Sequence, residues 1–435
     1  MSVAVAVRSR IVMFVYGDVT HDSRVLREAG SLAAGGHRVS VLARPRELHA
    51  ETGDREDRDG FEIVRIPVPG GWRRPWRIVG WPLRSIAHLV DRLRHRPGFQ
   101  AALAWLVIWR FAIRGWGRDA ARLAPPADFY HAHDLTGLPA ALAAQRRHGG
   151  RVIYDSHEVY LESGANVRQP GWLRRLMRRW ERSMVARTVA LVTVNEACGA
   201  ELNRRYRVPG PTVIVHNCAP RRPLPSGPDA RLRQATGCSA GTPIALYHGS
   251  FSPHRGLDTL AEALLAPGLE HVHAAYLGYG SQRPLLERLA GDSRYGNRLH
   301  ILEPVPPEDV VGWVSGADVE VMILEPVTLN HVLSTPNKVF EALAAGVPVV
   351  TSDFPGLREI IIGDPDGPLG AVCDPADPVA IAAALRSILD LDDAARADLR
   401  RRCLRAAHER WNWETESAKL VSLYASLGAG AGVDA

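Results

Sequence analysis

Side chains that hold phosphates, hydroxyls and protons recur at one kind of place in this sequence, directly after a short apolar run. Ile11–Tyr16 is followed by Gly17, Asp18, Asp22 and Arg24. ADFYHAHD ends in His131, His133 and Asp134, and RVIYDSHE in Asp155, His157 and Glu158. Further on, PIALYHGS brings His248, Gly249 and Ser250, with Arg255 just beyond, and HVHAAYLGYG brings Gly278 and Gly280. Arginine forks match phosphate oxygens. Two histidines at i and i+2 of a strand point to the same face, which suits hydrogen bonding to a substrate. A metal reading of His131-x-His133 lacks a convincing later set of ligands, so none is expected. LGYGSQ has Arg283 where a dinucleotide fingerprint needs its third glycine, which argues against NAD.

The stretch STPNKVFEALAAG carries the sharpest signal. Ser334, Thr335, Pro336 and Asn337 form a turn into a helix, where backbone N–H groups and the positive dipole end attract an anion. Lys338 in the first turn opposes that dipole, and a bound phosphate would compensate. Glu341, one turn on, is placed to accept hydrogen bonds from two vicinal hydroxyls, as carboxylates holding a ribose do. Ala342, Ala344, Ala345 and Gly346 keep the helix slim enough to pack closely on a sheet. The expected ligand is a sugar attached to a nucleotide diphosphate. The plainer reading is a well-capped core helix.

Apolar runs alternating with helical periodicity must position these residues. Strand, helix and strand follow one another within Ile11–Arg44, and the pattern recurs to about residue 215. It restarts at PIALYHGS after a proline-dense joint, HNCAPRRPLPSGPDA. The expectation is α/β, two Rossmann-like doubly wound parallel sheets facing across a cleft, whose ligands sit beyond the strands' carboxyl ends. A length of 435 residues fits two domains. They are placed at 1–215 and 231–412, with 216–230 as linker and 413–435 as an amphipathic helix returning to the first domain.

The formal charge is +6, and Lys338 and Lys419 are the only lysines. Residues 72–122 hold eleven arginines against Asp91 and Asp119, with six of the eleven tryptophans. Together with 169–187 this composition suits an anionic membrane surface; the competing reading is a solvated basic face with its tryptophans in the core. No nucleic-acid motif accompanies the basic residues, so no nucleic-acid partner is expected. Five scattered cysteines without a CxxC pair argue for a reducing compartment and against disulfides or structural zinc. No signal peptide is evident, and AALAWLVIW is about half of a membrane span. The expected place is the cytoplasm, with a peripheral hold on the inner face of the cell membrane.

With these residues in view, the chain resembles the retaining glycosyltransferases of family four, of GT-B architecture. DSRVLREAGSLAAGGHRVSVLA, DFYHAHD, YHGSFSPHRGLDTLAEAL and above all PNKVFEALAAGVPVV carry the likeness. It implies transfer from a nucleotide diphosphate sugar to an acceptor with retention of configuration, without a metal or other cofactor. His133 would lie near the reacting carbon, Arg255 on the diphosphate and Glu341 on the ribose. Gly249, Ser250, Gly278, Gly280 and Ser334–Lys338 would surround the donor. Gly17, Asp18, Asp22, Arg24, Asp134, His157 and Glu158 would face an acceptor, lipid-linked or part of a cell-envelope polysaccharide. Two departures stand out: Leu333 occupies the place of the family's first glutamate, and Ser250 that of its usual arginine. A nucleotide-sugar 2-epimerase and a non-catalytic sugar- or lipid-binding scaffold are the alternatives.

Overall fold

The computed structural model describes residues 8–47, 54–68, 102–103, 105–223 and 227–429. The chain forms two units, Met1–Val215 with Ser417–Ala435, and His216–Glu416.

The first unit is built on eight strands: β1 (Arg10–Val15), β2 (Arg38–Ala43), β3 (Arg55–Arg58), β4 (Phe61–Arg65), β5 (Phe129–His133), β6 (Arg151–Ser156), β7 (Ala190–Thr193) and β8 (Thr212–Ile214). Their order is β3-β4-β2-β1-β5-β6-β7-β8. All neighbours are parallel except β3 and β4. Residues Ile11–Phe14 of β1 are wholly buried, as a strand covered on both faces must be, which is why it reads as an unbroken apolar run. The β3–β4 hairpin turns on Asp59-Gly60, both at positive φ. Asp-Gly is the sequence signal for such a two-residue hairpin, because both central residues must take positive φ. The helix Ser23–Ala34 starts where Asp22 accepts from the Val25 amide, and it ends at Gly35.

The second unit has six parallel strands: β9 (Ile244–Ser250), β10 (His273–Tyr279), β11 (Leu299–Leu302), β12 (Val319–Met322), β13 (Val349–Ser352) and β14 (Gly370–Cys373). They run in the order β11-β10-β9-β12-β13-β14. Each sheet therefore has a switch point where the chain reverses its direction of strand addition, between β1 and β5 in one and between β9 and β12 in the other. Crevices form there, because successive crossover helices lie on opposite faces.

Residues 216–230 are not a free linker: Cys218 and Ala219 are buried within the second unit, and the Asp229 amide donates to Ser315. The helix after β5 runs Asp134–His148, starting directly at the end of the strand. Of the basic insertion, 72–101 and 104 lie outside the described residues, and the described remainder is helical through a π-turn at Ile108–Ile113 and on to Leu123. There Trp109 and Trp116 are core residues, and Trp105 stacks on Trp109. Apolar burial outweighed interfacial exposure for these rings. In the last helix, Trp413–Ala429, Tyr424 packs edge-on against Phe129.

Candidate active site

In the second unit a cavity of about 470 Å³ opens beyond the carboxyl ends of β9 and β10. Arg255, Gly249, Lys338 and Glu341 line it, together with Pro336 and Asn337 at the start of the helix Asn337–Ala344. No side chain caps that helix, so its N-terminal end is presented to the cavity. Lys338 lies over the Tyr247 ring, 4.1 Å from its centroid, and donates to the Tyr247 hydroxyl at 2.8 Å. Burial lowers the Lys338 pKa to about 8, with Arg255 adding to the effect and Glu320 opposing it. Gly249 sits at φ +105°, and a Cβ there would meet the Lys338 amine at 2.7 Å. Only glycine allows both the backbone turn and the lysine's approach.

At the β9/β12 switch point His248 bridges two carboxylates. Its Nδ1 is 2.9 Å from Glu320 and its Nε2 2.9 Å from Glu341. Burial alone would lower the His248 pKa, but Glu320, with help from Glu341, raises it to about 9. An imidazolium with both nitrogens protonated therefore orients Glu341 toward the cavity. Because the folded pKa exceeds the unfolded value, this bridge stabilises fully below about pH 6.5 and is lost as pH rises through about 9. Between pH 6.5 and 8 the loss should be about 1.5 kcal/mol. Above pH 8 the lowered lysine works in the opposite direction. Thermal melts across pH 6.5–8 should show the decline in the wild type and a flatter profile in His248→Gln.

The first unit carries its own cluster beyond β5 and β6. Asp155, wholly buried, receives Arg24 Nη2 at 3.0 Å, His157 Nε2 at 3.1 Å and His133 Nδ1 at 3.2 Å. Arg24 also reaches Glu28 at 2.9 Å and the Val215 carbonyl at 2.6 Å. His131 Nδ1 lies 2.7 Å from the Tyr424 hydroxyl. Burial, with the neighbouring His131, pushes the His133 pKa down to about 3. Burial would also lower that of His157, but Asp134 and Asp155 raise it to about 10. His133 is thus a neutral imidazole giving its Nδ1 proton to Asp155, and its Nε2, which has no partner among the described residues, keeps a lone pair. Glu28, His131, His133 and Asp155 are close enough to surround one ion. The Arg24 guanidinium already supplies the positive charge between Glu28 and Asp155.

Two family models cover the chain, "Glycosyl transferase 4-like domain" over residues 21–218 and "Glycosyl transferases group 1" over 242–391. A D-inositol 3-phosphate glycosyltransferase of Xylanimonas cellulosilytica is 33% identical over 314 residues, 68% of this chain and 72% of that protein. The chain belongs to the group 1 glycosyltransferases. A phosphatidyl-myo-inositol mannosyltransferase of Mycolicibacterium smegmatis is 31% identical over 94% of this glycosyltransferase and 91% of its own length. Among solved structures, sucrose-phosphate synthase from Thermosynechococcus elongatus has a TM-score of 0.68 at 19% identity, covering 97% of this chain and all of that one. The fold of the glycosyltransferase is GT-B, two Rossmann-like parallel-sheet domains.

The structure gathers Gly249, Ser250, Arg255, Gly278, Pro336, Asn337, Lys338 and Glu341 around one cavity. Ser334 and Thr335 do not line it, and the Ser334 hydroxyl is used on the Asn330 carbonyl. Gly280 packs against the backbone of Phe251 instead. Leu333, in the place of the family's first glutamate, is buried.

Arg24, expected to face an acceptor, is buried and donates to Asp155, the carboxylate that His133 and His157 also reach. Asp22 caps a helix, and Asp18 accepts from the Thr20 amide and hydroxyl. The Gly17 carbonyl accepts from the Arg44 amide, Asp134 accepts from the His157 amide at 3.0 Å, and Glu158 accepts from Ser163.

Sequence reasoning missed Glu28, Glu320 and Tyr279. A glutamate inside the apolar run ADVEVMI, and one on the same helix face as Val25 and Leu32, were the available signals.

Proposed function

We propose that this glycosyltransferase moves a hexose from a nucleotide diphosphate sugar, with retention at the anomeric carbon, to a phosphoinositol-type acceptor held at a membrane surface. The carrying observation is Arg255. Its guanidinium lines the second-unit cavity without a hydrogen-bond or ion-pair partner among the described residues. An arginine left in that state calls for an anion. Lys338 and the uncapped helix end lie in the same cavity. Together they would bind a diphosphate and stabilise the charge that grows on it as the glycosidic bond breaks. That charge balance needs no metal, and the leaving phosphate would take the acceptor's proton. Glu341, oriented by His248, would hold the ribose. Tyr279, an exposed ring beside Pro304 and Val305, offers an apolar wall for the base. The His133 Nε2 lone pair would receive a substrate hydroxyl; a pKa near 3 makes it a positioning group rather than a base.

The acceptor half rests on two supports. Relatives are named for inositol phosphate and phosphatidyl-inositol acceptors. The helix Gly171–Val185 buries Leu173, Met177 and Val185 while Arg175, Arg179 and Arg182 are exposed, and Trp172 is exposed near its start. Such a face suits an anionic bilayer.

Incubation with labelled nucleotide sugars and either phosphatidylinositol vesicles or soluble inositol phosphate is the test. Transfer to lipid, with the anomeric configuration of the donor kept and EDTA without effect on the rate at 25 °C, is the expected result. Inversion, epimerised donor or no turnover with any donor would overturn it. Flotation with anionic vesicles should carry the protein at low salt, and Arg175→Glu with Arg179→Glu should reduce the floated fraction several-fold.

A further inference from the structure

The amino ends of the second sheet hold a group of side chains that donor binding does not use. His273 opens β10, His300 is the second residue of β11, and Cys238 follows the short helix Arg231–Thr236. Their ligating atoms converge. Cys238 Sγ lies 3.4 Å from His273 Nδ1 and 3.9 Å from His300 Nε2, and the two nitrogens are 2.8 Å apart. Tetrahedral zinc, with bonds of about 2.0–2.1 Å to nitrogen and 2.3 Å to sulfur, separates paired nitrogens by about 3.4 Å and nitrogen from sulfur by about 3.6 Å. Small side-chain adjustments would bring the three atoms to those separations. All three residues are half-buried, so an ion has a path in and room for a solvent ligand.

We propose that Cys238, His273 and His300 form a binding site for a zinc-type divalent metal, one thiolate and two imidazoles with a fourth position open to water. Thiolate and imidazole together select zinc and its neighbours over magnesium or calcium. The ligands come from segments separated by 35 and 27 positions along the chain. A bound ion would tie β11, which is the edge strand, to β10 and to the end of the Arg231–Thr236 helix. Its place is at the opposite end of β10 from the cavity, roughly 20 Å away at about 3.3 Å per residue. Its role is therefore structural, stabilising the folded unit by binding it in preference to the unfolded chain.

The test uses the full chain, stripped by chelator dialysis and titrated with Co²⁺ and then Zn²⁺. The expected result is one equivalent of Co²⁺ with a thiolate-to-cobalt charge-transfer band and visible bands of tetrahedral strength, both erased by Zn²⁺. The other four cysteines are buried, so the sulfur band should disappear in Cys238→Ser. His273→Gln and His300→Gln should each weaken Zn²⁺ binding at least tenfold. Zn²⁺ should raise the melting temperature of the wild type but not of the variants, and far-UV circular dichroism would show that these keep the fold. No charge-transfer band, a band that survives Cys238→Ser, or substoichiometric binding would overturn the site and leave a hydrogen-bonded histidine pair. Donor binding is read separately, so failure here would not touch the proposed reaction.

Discussion

Replacing Arg255 by alanine should lower kcat/KM for the nucleotide sugar by roughly 10²- to 10³-fold, the usual effect of removing one group that stabilises developing charge in a water-poor site. The melting temperature should hardly change. Among the described residues Arg255 makes no ion pair or hydrogen bond whose loss would be felt in the folded protein. Arg255→Lys should recover part of the rate, because it restores the charge but not the planar fork that grips two phosphate oxygens. Steady-state kinetics alongside thermal melts check both halves. Undiminished turnover would mean that the diphosphate binds elsewhere. A falling melting temperature would mean that the guanidinium is structural. Glu341→Ala should act differently, raising KM for the donor more than it lowers kcat, since a ribose held there would be bound equally in ground and transition states.

The second large effect is on stability. Asp155→Ala removes the carboxylate that faces the Arg24 guanidinium and the His157 imidazolium in the buried core of the first unit. Breaking a buried pair by deleting one partner costs about 3–5 kcal/mol, because the remaining charge is left uncompensated. At about 2–4 °C per kcal/mol, the melting transition of this unit should fall by roughly 10 °C. Acid should have a related effect on the wild type. Burial works against the ionised Asp155, but Arg24 and His157 outweigh it and hold the carboxyl well below its ordinary range. Its stabilisation is present above about pH 4 and is lost as pH falls through the folded value. His133 adds to this, since the unfolded chain takes up its proton near pH 6.5 while the folded chain waits until about 3. His133 therefore lowers the stability of the first unit as pH falls below about 6.5, while Glu181, whose burial raises its pKa to about 7, works in the opposite direction; the His133→Gln protein should lose less than the wild type between pH 6.5 and 4.

Much of the architecture could be read without coordinates. Parallel strands buried on both faces leave continuous apolar runs, as Ile11–Phe14 does, and their polar successors mark the carboxyl ends where ligands gather. The second-unit cavity was legible for that reason: His248 and Gly249 close β9, Arg255 follows it, and Asn337 opens a helix. Short-range chemistry, a glycine beside a lysine or a proline before a helix, is written in adjacent letters.

What adjacent letters do not contain is who meets whom. Arg24 looked like a loop residue awaiting substrate, yet β6 delivers Asp155 to it from 131 positions away and turns it into an interior cation. The insertion's tryptophans read equally well as interfacial or buried, and for Trp109 and Trp116 packing decided on burial. Cysteine spacing gave no hint that Cys238 meets two histidines, one on each of two neighbouring strands. Composition and periodicity thus established an α/β chain with polar strand ends suited to a phosphorylated sugar. Tertiary structure alone assigned each charge its partner, since electrostatic energy depends on separation and burial, and neither is a property of position along a chain.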